Sequence, residues 1–299
     1  MASRQDAGPG NWGRWGTEDE RGALNLVTPE RVMEALRLPA RGRLYSLGQP
    51  IQGRGVPMVS DRPPPIHLFR VDGGDYATGA PDSNGCRSAE DYLIMGMHGH
   101  TTHLDALGHV WSGEALYNGF PDATVRSTGM RRCGIDKAGP IVTRGVLLDL
   151  ARWRGVEHLE AGETVRATDL DQCATAQGVQ VRAGDAVLLR TGWPLVYAAD
   201  PAGYERAWPG IGLDAAAWLA DRDVVLVGAD NPAVETRPFP RGTTAPVHQY
   251  LLRDHGIYLL ELLNLEALAA DDAHVFLLLT LPLRVRGATA SPVNPIAIT

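Results

Sequence analysis

Residues 213–228 read LDAAAWLADRDVVLVG. Leu213 to Arg222 has the composition of a helix, and the run behind it, Val224-Val225-Leu226-Val227-Gly228, is apolar at nearly every position. A strand with one wet face alternates apolar and polar residues; a run without alternation has both faces covered. This stretch therefore predicts a central sheet with helices packed against it. The same pattern recurs upstream in Gly145-Val146-Leu147-Leu148-Asp149-Leu150, and in Ala186-Val187-Leu188-Leu189-Arg190-Thr191 after a Gly184-Asp185 turn. Between those two strands, Thr168 is expected to cap a helix through Leu170, Cys173 and Ala176, which Gly178 can close.

Further out, Thr28-Pro29-Glu30 reads as an N-cap with Pro at the first helical position, opening a helix through Val32, Met33, Ala35 and Leu36. Residues 39–90, with Pro63-Pro64-Pro65, Gly73-Gly74 and Pro81, predict short strands and long surface loops. Near the C-terminus a helix from about Val247 stops at Gly256, followed by Ile257 to Leu265 and the strand-like His274 to Leu283. No stretch is flexible or polar enough to be a linker. The expectation is one α/β domain over residues 1–299, a central mixed sheet with flanking helices, and a protruding β-rich part drawn from the first hundred residues.

At 299 residues the chain can bury a sizeable core, and 44% hydrophobic with 21% charged residues argues against wholesale disorder. Lys plus Arg (28) less Asp plus Glu (35) gives −7, with no basic run to mark a nucleic-acid or membrane partner. The three cysteines, Cys86, Cys133 and Cys173, are scattered and lack CxxC spacing. The opening MASRQDAGPGNWGRWG has no apolar signal-peptide core, and no run approaches a membrane span, so a cytoplasmic, reducing location is expected. No GxSxG elbow or Walker loop occurs, and the string GPGNWG (8–13), which spells GxGxxG, follows no apolar strand run, which removes the usual support for serine-hydrolase, nucleotide and dinucleotide chemistry.

The chemistry concentrates in MHGHTTHLDALGH (97–109), where four of the nine histidines, His98, His100, His103 and His109, surround Asp105. His103 and Asp105 stand two apart, so in extended chain they share a face and can bind one ion. Imidazole with carboxylate suits Zn²⁺, Mn²⁺ or Fe²⁺, but this segment supplies few ligands. His248 and Glu261, flanking a helix-to-strand transition in VHQYLLRDHGIYLLELLNL, are candidates for the rest. A carboxylate among Leu259, Leu260, Leu262 and Leu263 is expensive to bury unless a cation, an Arg or hydrogen bonds compensate it. Trp111 and Tyr117 are either pocket walls or core, and His67 is a loop residue that either faces the pocket or solvent. Asp230 and Glu235 follow the apolar strand and either border the site or anchor their loop through backbone amides.

Several segments in order, NWGRWGTEDERGALNLVTPE (11–30), THLDALGHVW (102–111), LYNG (116–119), RGVLLDLAR (144–152), GDAVLLRTGW (184–193), GADNPAVE (228–235) and SPVNPIAI (291–298), resemble the bacterial cyclase family of metal-dependent hydrolases, which includes kynurenine formamidases and isatin hydrolase. The resemblance implies a swivelling β/β/α fold, a homodimer or homotetramer, and a divalent cofactor, Zn or Mn, as one or two ions per chain. The family motif is His, three residues, His, one residue, Asp, three residues, His. Carried over, it makes His103 and Asp105 metal ligands and His109 the general acid/base; a later His and Glu of the family match His248 and Glu261. Four residues before His103 stands Gly99, however, so the first ligand falls to His98, with one inserted residue taken up by a bulge, or to its rival His100. A smaller departure is Leu262, where relatives often carry Asn.

The function this implies is hydrolysis of a C–N bond in an amide, formamide or cyclic amide of a small aromatic substrate, with Trp111 and His67 as substrate-binding candidates. Two alternatives stand beside it: a cyclase or dehydratase closing a ring in natural-product biosynthesis on the same scaffold, and a non-catalytic binding protein on a decayed enzyme fold.

Overall fold

Val146–Leu148, Val187–Leu189, Leu226–Val227 and Leu259–Leu260, none more than 1% exposed, lie in four neighbouring strands, which is where continuous apolar runs have to go. The computed structural model describes residues 8–59 and 61–299, so the first seven residues of the N-terminal segment, and those residues of the proposed 1–299 domain, lie outside the described residues.

In chain order, β1 (Leu44–Ser46) is followed by β2 (Ile66–Val71), β3 (Glu90–Ile94) and β4 (His103–Asp105). Next come the short pair β5 (Val125–Arg126) and β6 (Gly129–Met130), then β7 (Ile141–Asp149), β8 (Thr164–Val165), β9 (Ala186–Arg190) and β10 (Gly210–Ile211). The remaining strands are β11 (Leu226–Ala229), β12 (Tyr258–Glu261), β13 (Val275–Thr280), β14 (Ala290–Pro292) and β15 (Ile296–Ile298). One sheet takes nine of these in the order β1-β15-β13-β7-β9-β11-β12-β4-β14. Its centre, β7-β9-β11-β12, is parallel, and the pairings outward from both ends of that centre are antiparallel. Parallel neighbours need long crossovers. Helices Leu150–Arg154 and Ala167–Ala176 lie between β7 and β9, and Leu213–Ala220 precedes β11.

The expected helices form, with one corrected start. Thr28 Oγ1 accepts from the Arg31 amide at 3.4 Å ahead of helix Pro29–Ala35. Helix Ala167–Ala176 instead has Arg166 as its N-cap residue, and Thr168 lies inside the first turn. The Asp169 carboxylate accepts from the Arg166 amide at 2.8 Å, supplying an anion where the helix begins, and Gly178 closes the other end at φ +66°. The segment from Val247 to Gly256 is an α-turn, Pro246–His248, widening into a π-turn, Gln249–Asp254. The protruding β-rich part is the β2–β3 hairpin, on which Leu68, Phe69, Tyr92 and Leu93 are all exposed.

Buried Asp230 follows β11 and binds it to the end of β9: its carboxylate accepts from the Thr191 amide (2.9 Å), the Thr191 hydroxyl (2.5 Å) and the Gly192 amide (2.8 Å). Burial pushes this carboxyl up to about 6, with the Thr191 and Gly192 hydrogen bonds pulling the other way, so it is ionised at pH 7.5. Asp230→Asn sets an NH₂ group against these donors, and at pH 7.5 it is expected to remove about 1–3 kcal/mol of stability. A urea midpoint equal to that of the parent protein would refute this anchoring role.

A candidate metal and catalytic centre

The site is assembled by two adjacent antiparallel strands. Glu261, the last residue of β12, is the register partner of His103, the first residue of β4. Side chains paired in this way leave the same face of the sheet at short range. His103 Nε2 lies 3.1 Å from Glu261 Oε2 and 3.6 Å from Asp105 Oδ1. From the α-turn beyond, His248 Nε2 reaches 3.1 Å from Glu261 Oε1 and 3.8 Å from Asp105 Oδ2. His98 Nδ1 sits 3.0 Å from Asp105 Oδ1, and its Nε2 is 2.9 Å from the Thr289 hydroxyl. The five residues considered as ligands thus meet around Asp105, and His109 stacks on His98 with ring centroids 3.8 Å apart.

The hydrogen bonds behind these rings fix which nitrogen faces inward. His103 Nδ1 donates to the Thr101 carbonyl at 2.8 Å, which aims Nε2 at two carboxylates. His248 Nδ1 contacts the Glu235 carboxylate, which also accepts from the Val247 amide (3.1 Å) and the His248 amide (3.3 Å). A lone pair opposing carboxylate oxygens is repulsive unless a cation lies between them. Consistent with that, His103 Nε2 and both Asp105 oxygens are buried without a hydrogen-bond partner among the described residues; the short His98–Asp105 approach lacks hydrogen-bond geometry. Orphaned buried groups cost about 1–3 kcal/mol each, more when charged, and a divalent ion satisfies several at once.

Two groupings have donor atoms close enough to share an ion: His98, His103 and Asp105, and Asp105, His109 and His248, each within 4.8 Å. Asp105 belongs to both. The protein's own charges agree with a cation there. Burial would raise the Asp105 carboxyl, yet His109, His98 and His103 hold it well below the ordinary carboxylate range. Burial would lower His248, but Glu235 and Glu261 raise it well above an ordinary imidazole, so a proton on Nε2 takes the place that an ion would fill. His109 behaves oppositely: burial, reinforced by His98 and His248 against the pull of Asp105, brings it to about 3, and it is neutral at physiological pH.

Comparison with known proteins adds the family. The model described as "Putative cyclase" matches residues 45–236. The chain belongs to this cyclase family. A crystal structure described as a novel cyclase superposes on this chain with TM-score 0.90 at 37% identity, covering 98% of this chain and 100% of the other. Isatin hydrolase A from Ralstonia solanacearum shares the fold at TM-score 0.64 and 22% identity, covering 86% of this chain and 92% of its own. A kynurenine formamidase from Polaromonas naphthalenivorans (strain CJ2) is 40% identical over 80 residues, so the match spans 27% of this chain and about a third (33%) of that relative.

The remaining sequence candidates fall elsewhere in the structure. His100 is 1% exposed, outside the cluster, with neither ring nitrogen hydrogen-bonded among the described residues. The extra residue beside it is accommodated by a bend at Gly99, φ +79°, in place of the expected β-bulge. The cleft over the ligand cluster is walled by Val59, Val110, Trp208, Pro232 and Phe239, and neither His67 nor Trp111 belongs to its lining. The hairpin carries His67 out to solvent, where it pairs with Asp91, and Trp111 stays part-exposed beyond Val110. Tyr117 is core, its hydroxyl donating to Asp19 at 2.9 Å. Both readings of Glu235 hold at once, since it anchors backbone amides and orients His248.

Carboxylates that orient metal-binding imidazoles are typically worth 10–100-fold in metal affinity. Glu235→Gln is expected to weaken Zn²⁺ binding by about that factor in chelator competition, with the far-ultraviolet circular dichroism unchanged. Unaltered affinity in a folded variant would show that the Glu235–His248 contact does not prepare the ligand.

Proposed function

We propose that this protein is a metal-dependent hydrolase that adds water across a C–N bond in an amide, formamide or cyclic amide of a small aromatic substrate. The observation that carries this reading is the convergence of His98, His103, Asp105, His248 and Glu261, with imidazole nitrogens aimed inward and both Asp105 oxygens unpartnered among the described residues, beside a neutral His109 on an open cleft. A divalent ion in such a site, Zn²⁺ or Mn²⁺ and one or two per chain, supplies carbonyl polarisation and acidification of water. His103, Asp105 and Glu261 hold from the sheet, His98 and His248 from the flanking segments. His109, uncharged at neutral pH, takes a proton from the attacking water and returns it to the departing nitrogen, giving a carboxylic acid and an amine. Trp208 and Phe239 provide the apolar wall for an aromatic ring. Family membership, together with the likenesses to kynurenine formamidase and isatin hydrolase, supports the same chemistry.

The free thiols of Cys86, Cys133 and Cys173 support a reducing, cytoplasmic setting, and no helix among the described residues is long and apolar enough to cross a membrane. The assembly is a homodimer or homotetramer; the exposed apolar side chains of the β2–β3 hairpin support self-association, since a lone two-stranded hairpin is marginal in water.

His109→Ala is expected to keep the metal content of the parent protein while lowering kcat by about 10²-fold or more on an aryl formamide, with product heavier than substrate by one water. Full turnover by the variant removes His109 from proton transfer. Loss of metal assigns it to the ligands instead, and a product lighter by one water would make the protein a cyclase or dehydratase.

A further inference from the structure

The rim of the cleft carries two cations that the proposed chemistry leaves unused, Arg62 and Arg237. Arg237 is firmly mounted. It exchanges both backbone hydrogen bonds with Trp208, each 3.0 Å, and its guanidinium lies over the Trp208 ring, 5.1 Å from the centroid. Trp208 is 3% exposed and donates its indole N–H to the Glu235 carbonyl at 3.0 Å, so one rigid piece of chain carries the cleft wall, the arginine and the carboxylate behind His248. No carboxylate among the described residues pairs with Arg237. Among the described residues, the one ion pair of Arg62 is with its neighbour Asp61, at 3.7 Å with both exposed, a contact of little strength. The cleft itself, about 170 Å³, is close to the size of a cavity that accommodates one benzene ring.

An unpaired guanidinium stacked on a fixed indole loses little freedom when it binds, and its planar fork matches a carboxylate with two parallel hydrogen bonds. We propose that the substrate is an aromatic amide bearing a carboxylate, recognised by Arg237 with Arg62 beside it, while the scissile C–N bond lies over the ligand cluster. This specificity rests on the amide-hydrolase reading above. It explains why positive charge is kept at the mouth of a cleft in a chain of net charge −7.

The test compares 2-formamidobenzoate with formanilide, which lacks the carboxylate, as substrates of the purified protein and of Arg237→Gln, alongside benzoate binding by calorimetry. The expected result is that the variant loses roughly tenfold or more in kcat/KM on 2-formamidobenzoate relative to its loss on formanilide, chiefly through KM, and that its Kd for benzoate rises by a similar factor. Arg237→Lys, which keeps charge but not the fork, should recover only part of the difference. Equal losses on the two substrates, or a preference of the parent protein for formanilide, overturn the proposal. Should neither amide be hydrolysed, benzoate still decides: a weakened Kd in Arg237→Gln upholds carboxylate recognition and places the failure on the amide reading, and an unchanged Kd overturns the recognition itself.

Discussion

The constraint on which the molecule turns is the burial of two carboxylates, Asp105 and Glu261, on one face of one sheet. Asp105 is 0% exposed and Glu261 5% exposed, and no Lys or Arg reaches either among the described residues. Their only ionisable partners of opposite sign are imidazoles. Two anions in a poorly solvated space repel strongly, and neutral imidazoles alone do not offset this. The arrangement becomes favourable when positive charge sits among them, as protons in the free protein or as metal in the loaded one. Burying like charges in this way favours a cation among them.

The sheet supplies the precision. Its four central strands run parallel, so the carboxyl ends of β11 and β12 open on the same edge. Asp230 follows β11 and Glu261 closes β12. In open parallel sheets this edge is the usual place for a ligand, because loops diverge there and leave a crevice. Here β4 returns antiparallel to β12, bringing His103 and Asp105 to that edge from the opposite direction. The buried register shared with Glu261 leaves little room for slippage, since a shift of one residue would turn the ligands to the other face.

Much of this was legible in the chain because it is local or periodic. The unbroken apolar runs announced covered strands, and the crowding of His98, His103, Asp105 and His109 announced chemistry. The family likeness added His248 and Glu261. What sequence did not reveal depends on long-range closure. Trp208 and Arg237 form a wall only because an isolated bridge joins segments on either side of β11, and neither stands in a periodic pattern. His67 looked like a pocket residue until the hairpin carried it away from the sheet. Thr168 has the right chemistry for a cap, but Arg166, two residues earlier, takes the extended backbone conformation of the N-cap. Leu262 was a bare departure from the family's Asn; the structure puts it at φ +56°, immediately after Glu261. Asn tolerates that left-handed conformation better than Leu, so the family preference there follows from backbone geometry.

Reactivity and specificity are therefore housed differently. The candidate ligands rise from paired strands, from the bend at His98 and from a turn pinned by Glu235, whereas the rim comes from Val59, Asp61 and Arg62 and from the loop at 232–239. This loop is stiff: Asn231 Oδ1 accepts from the Val234 amide at 2.6 Å and the Ala233 amide at 3.2 Å, and its side-chain amide donates to the Pro209 carbonyl. Glu235 sits at the junction, its carboxylate serving His248 and its carbonyl serving Trp208. A substitution on the outer face of Arg237 or Phe239 can alter what enters the cleft with the ligands undisturbed. One that moves the backbone at Glu235 shifts wall and metal ligand together, so the rim is free to diversify in side chain but not in path.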